Sequence, residues 1–352
     1  MPKGKRETEK ETEKESATSE TEPNTAEVNS ISDLSGVGDA TEAKLREAGY
    51  DTVEMLSVLI PDDLTALGIE SAQARKVLDA ARKATWVEPD FKTGLDVMKE
   101  HEARFRLSSH VPAWDEMIGR GFEASTVTII HGKYGSGKSS VCHWLTACAL
   151  VEPAWKQNLS KDDATVVYID TENTFRPERV IDHLQMLGGD KSDLARIIHA
   201  DATSSLRQMS IVDHAGKVIK EKHMKFLILD SLTAHYRSEY IGREMLARRQ
   251  QMINHHLQRI SQLTRMFNLV TLVTTQEIDM PAQGFAGAAE SKAAGGNVAL
   301  HRPLAIFSIW RPEGLSEKRF LTLEKHPSQP QRRIVLKLDE KGFHDFEAQE
   351  KK

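Results

Sequence analysis

The stretch that decides the fold is Gly132-Lys133-Tyr134-Gly135-Ser136-Gly137-Lys138-Ser139, which has the spacing G-x-x-x-x-G-K-S. It follows an apolar run at Thr126–Ile130 and precedes a stretch with a helical pattern. Glycines let the backbone N–H groups surround a phosphate, the lysine reaches the β- and γ-phosphates, and the serine hydroxyl binds Mg²⁺. We therefore predict a phosphate-binding loop whose ligand-binding residues are Gly132, Gly135, Ser136, Gly137, Lys138, Ser139 and Ser140.

Two other apolar runs end in carboxylates. Phe226–Leu229 is followed by Asp230, which we predict to bind Mg²⁺ together with Ser139 of the loop. The run before Asp170 is followed also by Glu172. Hydrolysis needs a carboxylate that orients and deprotonates the attacking water, so Glu172 is the predicted catalytic base. Asp170 is either the alternative base or a structural acid at the strand end.

A further apolar run, Leu272–Thr275, ends in the neutral amide of Gln276. An amide at this position can sense the γ-phosphate and act in catalysis together with Lys138 and Glu172. The alternative is a polar strand end without such a role. Together these motifs predict ATP and Mg²⁺ as cofactors.

From about residue 104 to 346, short apolar runs alternate with helical stretches. This alternation is typical of a buried, mostly parallel sheet covered by helices. The predicted strands are Thr126–Ile130, Thr165–Ile169, Arg196–His199, Phe226–Leu229, Leu269–Thr274 and Leu304–Ile309. Two later runs, Phe320–Leu323 and Ile334–Leu338, are predicted to form an edge hairpin.

Residues 31–84 differ from this pattern, because short helical stretches alternate there with glycine-rich turns. The turns at Gly36-Val37-Gly38 and Gly68-Ile69 are typical of two helix-hairpin-helix halves. Their glycines let the backbone approach a phosphate, and the following helix offers free N–H groups. A pair of turns that serves only for packing fits the pattern equally well.

The remaining boundaries follow from composition. Residues 1–30 carry eight Glu and five Lys or Arg, and their few apolar side chains cannot offset the entropy of ordering. We predict a disordered acidic tail at 1–30, the helical domain at 31–84, a linker at 85–103, the ATPase core at 104–346 and a second tail at 347–352.

The net charge of -5 does not mark the chain as a nucleic-acid-binding protein, so a DNA site has to be a local basic patch. Segment 236–259 contains five arginines and two glutamates, and the small-residue-rich run at 277–297 is typical of a functional loop. The alternative for the arginines is a solvated face of a helix at 244–267. The predicted DNA-binding residues are Arg237, Arg243, Arg248, Arg249, Lys292, Gly295, Gly296 and Asn297.

Cys142 and Cys148 have no metal-binding or redox spacing, and we expect both in the core on one helix. No apolar run is long enough to span a membrane, and the N-terminus lacks a signal-peptide pattern. These features predict a soluble intracellular protein.

Two segments, Asp170–Arg179 (DTENTFRPER) and Asp230–Arg243 (DSLTAHYRSEYIGR), closely resemble archaeal RadA recombinases. The order and spacing of the phosphate loop, Gln276 and Gly295-Gly296-Asn297 match as well, and the resemblance covers about residues 31–346. It implies an α/β RecA-type P-loop ATPase core preceded by a small all-α domain. It also implies homo-oligomeric filaments or rings that bind single-stranded and double-stranded DNA and exchange strands.

The resemblance also implies roles for single residues. At the nucleotide, Glu172 would act in catalysis, Arg179 would stack on the adenine and Gln276 would sense the γ-phosphate. Arg243 and residues 277–294 would contact DNA. Between protomers, His301 would relay the nucleotide state, and Phe91, in a polymerisation motif that also contains Gly94, would insert into the neighbouring protomer.

The sequence departs from the family pattern in places. Lys325 stands where the family usually has an aspartate, and we predict that its ammonium contacts the γ-phosphate bound by a neighbouring protomer. It would then replace a monovalent cation. Arg302-Pro303-Leu304 replaces a small polar run after His301.

The predicted function is ATP-dependent pairing and strand exchange by a cytoplasmic, chromosome-associated recombinase that mediator proteins can assist. One alternative is a recombinase paralogue that binds ATP and DNA but only assists another recombinase. Another is a hexameric helicase on the same core, which would need neither the helix-hairpin-helix domain nor Phe91.

Overall fold

The computed structural model describes residues 30–48, 50–57, 59–85, 91–157, 160, 162–276, 302–314 and 317–346. Except for Ser30, the predicted tails at 1–30 and 347–352 lie outside the described residues. The chain divides into two compact units, residues 1–89 and 90–352. No helix among the described residues is long and apolar enough to span a lipid bilayer.

The first unit is a bundle of short helices. A 3-10 turn at Ile31–Asp33 is followed by α1 (Asp39–Glu47), α2 (Val53–Ser57), α3 (Pro61–Thr65) and α4 (Ser71–Ala84). Leu45, Leu56, Leu64, Val77 and Leu78 are fully buried and form its core.

Glycine is required at both predicted turns of this unit. Gly36 and Gly68 have φ values of 98° and 71°, in the left-handed region that side chains with a Cβ rarely adopt. The helix α2 ends at Ser57, and Ile60 precedes α3, where its N–H donates to Asp63 Oδ2 at 3.0 Å. The two helical halves predicted from the turns are therefore present as α1 to α4.

The second unit is built on one large sheet. Its strands are β3 (Thr126–Gly132), β4 (Val166–Asp170), β5 (Ile197–Asp201), β6 (Phe226–Asp230), β7 (Val270–Gln276), β8 (Ala305–Trp310), β9 (Lys318–Lys325), β10 (Arg332–Asp339) and β11 (Gly342–Asp345). The order is β11-β10-β9-β8-β3-β7-β6-β4-β5. The strands from β8 to β5 are parallel, and β9, β10 and β11 extend the sheet antiparallel. The predicted α/β class is confirmed.

Helices and a small second sheet accompany the large sheet. The helices are α5 (Gly94–Ala103), α6 (Pro112–Met117), α7 (Lys138–Val151), α8 (Pro153–Lys156), α9 (Pro177–Met186), α10 (Ser205–Glu221), α11 (Ala234–Glu239) and α12 (Leu246–Met266). The two-stranded sheet consists of β1 (Arg106–Leu107) and β2 (Phe122–Glu123). One apolar cluster contains α7 side chains and the other contains α10 and α12 side chains. Cys142 and Cys148 are buried on α7, as predicted.

Two predictions about the ends of the sheet are wrong. The predicted hairpin of Phe320–Leu323 and Ile334–Leu338 exists as β9 and β10, but β11 forms the edge. The run Arg196–His199 was predicted as a buried strand, whereas Arg196 ends a 3-10 turn and β5 is the half-exposed opposite edge. An apolar run shows that a strand forms, but it does not show how many neighbours the strand has.

The predicted linker also contains a helix that the sequence pattern did not indicate. The helix α5 begins after Thr93, whose hydroxyl accepts from the Asp96 N–H at 3.2 Å. None of its residues is buried within the described chain.

The buried imidazoles of the second unit include those of His143, His183 and His256. Burial lowers the pKa of His143 and of His183 to about 4 and that of His256 to about 3. Both ring nitrogens of His256 lack a hydrogen-bond partner among the described residues. The folded protein thus holds these rings neutral under conditions in which an unfolded chain protonates them.

This burial makes stability depend on pH with a definite sign. Below about pH 6.5 these three imidazoles bind protons in the unfolded chain but stay neutral in the folded chain. The free energy of unfolding therefore falls as the pH falls from about 6.5 toward about 3. We expect His256→Leu to reduce the stability loss between pH 7 and pH 5 by about 2 kcal/mol, measured by urea unfolding. The same change at exposed His214 is the control, and identical pH profiles for wild type and His256→Leu would refute the assignment.

Candidate nucleotide and DNA sites

The phosphate loop has the geometry that its sequence predicts. It joins the end of β3 at Gly132 to the start of α7 at Lys138. Gly135 and Gly137 have φ values of 72° and 110°. A Cβ on Gly132 would lie 2.3 Å from the carbonyl oxygen of Ile309, so only glycine fits there.

The residues of this loop fit a triphosphate. Lys138 Nζ donates to the carbonyl oxygens of Gly132 at 2.9 Å and Lys133 at 3.0 Å. The ammonium group thus connects the end of the loop to its start. Ser136 Oγ is buried without a hydrogen-bond partner among the described residues. A buried hydroxyl of this kind is stabilised by an added acceptor, as a phosphate oxygen would be. Ser140 is half-buried in the first turn of α7.

Strand register brings the other predicted residues to the same edge of the sheet. Gly132 pairs with Gln276 in the β3–β7 ladder, and Asp170 pairs with Asp230 in the β4–β6 ladder. Because parallel strands share a direction, all four residues lie at the carboxyl edge, where ligands bind in open α/β sheets.

Asp230 is linked through Thr174 to Ser139, the serine that was predicted to share a metal with it. Its Oδ2 accepts from the hydroxyls of Tyr168 and Thr174, both at 3.2 Å, and Thr174 Oγ1 accepts from Ser139 Oγ at 3.4 Å. No cluster of three or more His, Cys, Asp or Glu suited to a metal occurs in the described part of the chain. A hydroxyl and one carboxylate suit Mg²⁺, which keeps several waters and binds phosphate oxygens, and the Ser139–Asp230 pair would hold it here.

Asp170 is a structural acid and is poorly placed to act as a base. It is 1% exposed, and its two oxygens accept the N–H groups of Glu172 at 3.1 Å, Thr174 at 3.2 Å and Phe175 at 2.8 Å. These bonds fold the segment after β4 over the edge of the sheet. Glu172 is exposed at the top of this segment, where Ser231 Oγ donates to its Oε1 at 2.8 Å. Of the two acids, Glu172 alone can reach an incoming water.

Arg179 lines a cavity of about 480 Å³ beside the phosphate loop. Leu338 lines the same cavity, and its Cδ2 would lie 3.4 Å from a Cβ on Gly137. The other described lining residues, Glu317, Asp339, Glu340 and Lys341, are charged, so only the Arg179 guanidinium and the Leu338 side chain offer stacking contacts to a flat aromatic base. Arg179 was predicted from the sequence, whereas Leu338 was not, because it lies in a strand far away along the chain.

Arg237 contacts the predicted γ-phosphate sensor. Its Nη1 donates to Gln276 Oε1, and its side chain is half-buried on α11. Arg237 was predicted from the sequence to bind DNA. Its contact with Gln276 links the helix after β6 to the end of β7.

The basic segment divides into residues with different environments. Arg243 and Arg248 are exposed, and Arg249 is half-buried at the start of α12. Arg259, counted in the same patch, is buried and pairs with Asp213 at 3.0 Å. The predicted helix at 244–267 is confirmed as α12, so Arg248 and Arg249 lie on a helix.

Several predicted residues lie outside the described residues. They are the second DNA loop at 277–294 with Lys292, the run Gly295-Gly296-Asn297, and His301. Of the residues predicted at the protomer interface, Phe91 is 93% exposed and Gly94 begins α5. Lys325 is half-buried at the end of β9, and its Nζ donates to the Pro303 carbonyl at 2.9 Å.

Comparison with known proteins identifies the family. The Rad51 family model matches residues 101–346, and the SAM-like helix-hairpin-helix tandem model matches residues 28–83. The DNA repair and recombination protein RadA of Ignicoccus hospitalis is 34% identical over 321 residues, covering 90% of this chain and 96% of that protein. The RadA of Aeropyrum pernix is 34% identical over 323 residues, covering 91% and 98%. The chain belongs to the RadA/Rad51 family.

Membership in the RadA/Rad51 family fixes the general role. This is a DNA repair and recombination protein with a helix-hairpin-helix domain and a RecA-like core. Proteins of the RadA/Rad51 family are typically DNA-dependent ATPases, and the family implies ATP binding and DNA binding for this chain.

Asp170 at the end of β4 and Glu172 just after it are expected to contribute unequally to stability. Asp170→Asn replaces one acceptor oxygen by an NH2 group that faces backbone N–H donors, so we expect a loss of about 1–3 kcal/mol in the free energy of unfolding. Glu172→Gln keeps an acceptor for Ser231 at an exposed site, so its effect should stay within about 0.5 kcal/mol. Urea unfolding of both variants measures this difference, and equal effects would show that the Asp170 hydrogen bonds do not hold the segment.

Proposed function

We propose that this RadA/Rad51-family protein is an ATP-dependent recombinase that assembles on single-stranded DNA and catalyses homologous pairing and strand exchange. The observation that carries the proposal is the meeting of the phosphate loop, Asp230, Glu172 and Gln276 at one edge of the sheet. A protein that only binds nucleotide does not need an exposed carboxylate beside its phosphate loop.

Hydrolysis in this proposal rests on positioning. Lys138 and the loop N–H groups bind the β- and γ-phosphates, while Ser139 and Asp230 hold Mg²⁺, which neutralises charge on the phosphate oxygens when bound. Glu172 orients and deprotonates the attacking water, and Ser231 fixes the direction of its carboxylate through the 2.8 Å hydrogen bond. Gln276 contacts the γ-phosphate.

DNA binding is assigned to the same edge of the sheet. Arg243 and Arg248 are exposed at or before the start of α12, and the segment after Gln276 contains Lys292 and the glycine-rich run. The Arg237–Gln276 hydrogen bond joins these two segments. A change at the γ-phosphate can therefore move both DNA-binding segments through a single side-chain contact. We assign Arg237 to this coupling.

Self-assembly is assigned to β5, the edge strand on the side of the sheet away from β11. Within the described strands β5 pairs only with β4, so its outer N–H and C=O groups are available to another chain. Leu206, just after β5, is 76% exposed, and Phe91 is 93% exposed. An unpaired strand edge and an exposed aromatic side chain on one chain suit a head-to-tail contact between copies.

Lys325 enters the same assembly as a cation directed at the neighbour's γ-phosphate. Its ammonium is held by the Pro303 carbonyl, and burial lowers its pKa. Potassium should then have little effect on the ATPase, whereas the family aspartate at this position would favour a bound cation.

Strand exchange between a single strand and a homologous labelled duplex tests the function. We expect wild type to exchange strands with ATP, and Lys138→Ala to fail because it lacks the phosphate-binding ammonium. Glu172→Gln should bind ATP and DNA normally while its hydrolysis rate falls by about 100-fold or more. If wild type binds single strands with ATP yet never exchanges them, the protein is an assisting paralogue and the proposal fails.

Assembly is tested with two neighbouring exposed side chains. Phe91→Ala should weaken self-association by roughly 1.5–3 kcal/mol per contact, or about 10- to 100-fold, because that is the value of burying one aromatic side chain. Leu95→Ala, at a 57% exposed position of α5, is the control and should assemble as wild type. Sedimentation or light scattering with ATP measures both, and equal behaviour would remove Phe91 from the interface.

A further inference from the structure

Two hydrogen bonds in series connect the phosphate loop to the carboxylate at the end of β6. Ser139 Oγ, in the first turn of α7, lies 3.4 Å from Thr174 Oγ1, and Thr174 Oγ1 lies 3.2 Å from Asp230 Oδ2. These contacts join residues that are 35 and 56 positions apart, so the series forms only in the folded protein. Ser139 and Asp230 were predicted from the sequence to hold a metal ion, whereas no role was predicted for Thr174.

The position of Thr174 is fixed by its backbone. Its N–H donates to Asp170 Oδ1 at 3.2 Å, and the next N–H, that of Phe175, donates to Asp170 Oδ2 at 2.8 Å. Asp170 is almost completely buried, so these hydrogen bonds meet little competition from water. The Thr174 hydroxyl is therefore held in place, although it lies in a segment without helix or strand.

The direction of both hydrogen bonds follows from the last member of the series. A carboxylate has no proton to donate, so Thr174 must direct its hydroxyl proton toward Asp230 Oδ2. The oxygen of Thr174 then presents only lone pairs to Ser139, and Ser139 must be the donor in the 3.4 Å contact. The Ser139 proton thus points toward Thr174, which leaves the lone pairs of Ser139 Oγ for another partner.

Two further hydroxyls hold the carboxylate at the end of the series. Tyr168, which is fully buried, donates to Asp230 Oδ2 at 3.2 Å, and Thr274 donates to Asp230 Oδ1. A carboxylate offers about four acceptor positions, two on each oxygen. Tyr168 and Thr174 occupy those of Oδ2, so the position that remains among the described contacts lies on Oδ1.

This arrangement suits a metal ion held between Ser139 and Asp230. An oxygen binds Mg²⁺ through a lone pair, and Mg²⁺ demands nearly ideal octahedral geometry. A serine hydroxyl without a fixed acceptor rotates, and its proton can then face the metal. An acceptor that keeps the proton on one side removes this freedom, which is how groups behind a metal ligand orient it.

We propose that Thr174 is a positioning residue for the metal ligand Ser139: anchored by Asp230, its hydroxyl accepts the Ser139 proton and directs the Ser139 lone pairs toward Mg²⁺. The inference rests on the proposed function, in which Ser139 and Asp230 hold the metal ion that accompanies ATP. Thr174 acts through Ser139 and does not itself contact the nucleotide.

The test removes the hydroxyl while keeping the shape of the side chain. Thr174→Val replaces the hydroxyl by a methyl group, and Thr174→Ser retains it. Thr146→Val is the matched control, because Thr146 lies on the same helix as Ser139 but donates to the Cys142 carbonyl at 2.8 Å. The affinity for ATP is measured by titration calorimetry over a range of Mg²⁺ concentrations and in an excess of EDTA.

We expect Thr174→Val to need about 10- to 100-fold more Mg²⁺ for ATP binding, which is the usual effect of removing a group that orients a metal ligand. Its affinity for ATP in EDTA should equal that of wild type. Thr174→Ser should recover most of the Mg²⁺ affinity, and Thr146→Val should behave as wild type. An unchanged Mg²⁺ requirement overturns the inference, and so does an equal loss of affinity in EDTA, which would indicate a general distortion of the loop.

Thr174→Ala is measured beside Thr174→Val, because it also lacks the hydroxyl but adds no apolar group. If it needs no more Mg²⁺ than wild type, the inference is overturned even where the valine variant is unstable. A double-mutant cycle then tests the route. Once Ser139→Ala has removed the serine hydroxyl, Thr174→Val should change the Mg²⁺ requirement by less than about two-fold, and fully additive losses would overturn the assignment to Ser139.

Strand exchange is measured with the same variants to separate this inference from the proposed function. If wild type binds ATP with Mg²⁺ but never exchanges strands, and Thr174→Val still needs more Mg²⁺, the proposed function is wrong and the positioning role stands. If wild type exchanges strands and Thr174→Val has an unchanged Mg²⁺ requirement, the function stands and the inference fails. If Mg²⁺ does not improve ATP binding by wild type, the inference fails as well.

Discussion

Two buried carboxylates, Asp170 and Asp230, end neighbouring parallel strands, and the site depends on keeping both of them hydrogen-bonded. A buried charge without partners is too costly to retain. Asp170 satisfies this constraint with three backbone N–H groups of the next segment, and Asp230 with hydroxyls of Tyr168, Thr174 and Thr274. Because both carboxylates need hydrogen-bond donors, they determine the conformation of the segment that carries Glu172 and the side chains around Ser139.

The local part of this arrangement could be predicted from the sequence. Glycine spacing, the lysine and serine after it, and acids that follow apolar runs are properties of short segments, and they gave the phosphate loop, Asp230 and Glu172. The α/β class followed from the alternation of strands and helices. Asp170 remained ambiguous because its role depends on backbone groups whose direction a residue pattern does not contain.

The features that sequence did not reveal depend on contacts between distant segments. Arg237 and Arg259 look alike in a basic segment, but one meets Gln276 and the other is buried against Asp213. The helix α5 has no buried face, and β5 has an apolar sequence although it is an edge. One cavity at the amino edge of the sheet is lined by Arg104, by residues of α12 and by Arg302, which no window of sequence contains together. Such sites have to be found in three dimensions.

The position of β3 also has a consequence for synthesis on the ribosome. In the sheet, the neighbours of β3 are β7 and β8, and its phosphate loop rests against Ile309, although β4, β5 and β6 all emerge earlier in translation. Contacts between such distant residues form slowly, because a long intervening chain must first be closed. The nascent chain can thus pair β4, β5 and β6 before β7 and β8, the partners of β3, have been synthesised. On this order of synthesis the nucleotide site becomes competent only after β7 and β8 have emerged, so ATP binding and assembly follow their synthesis.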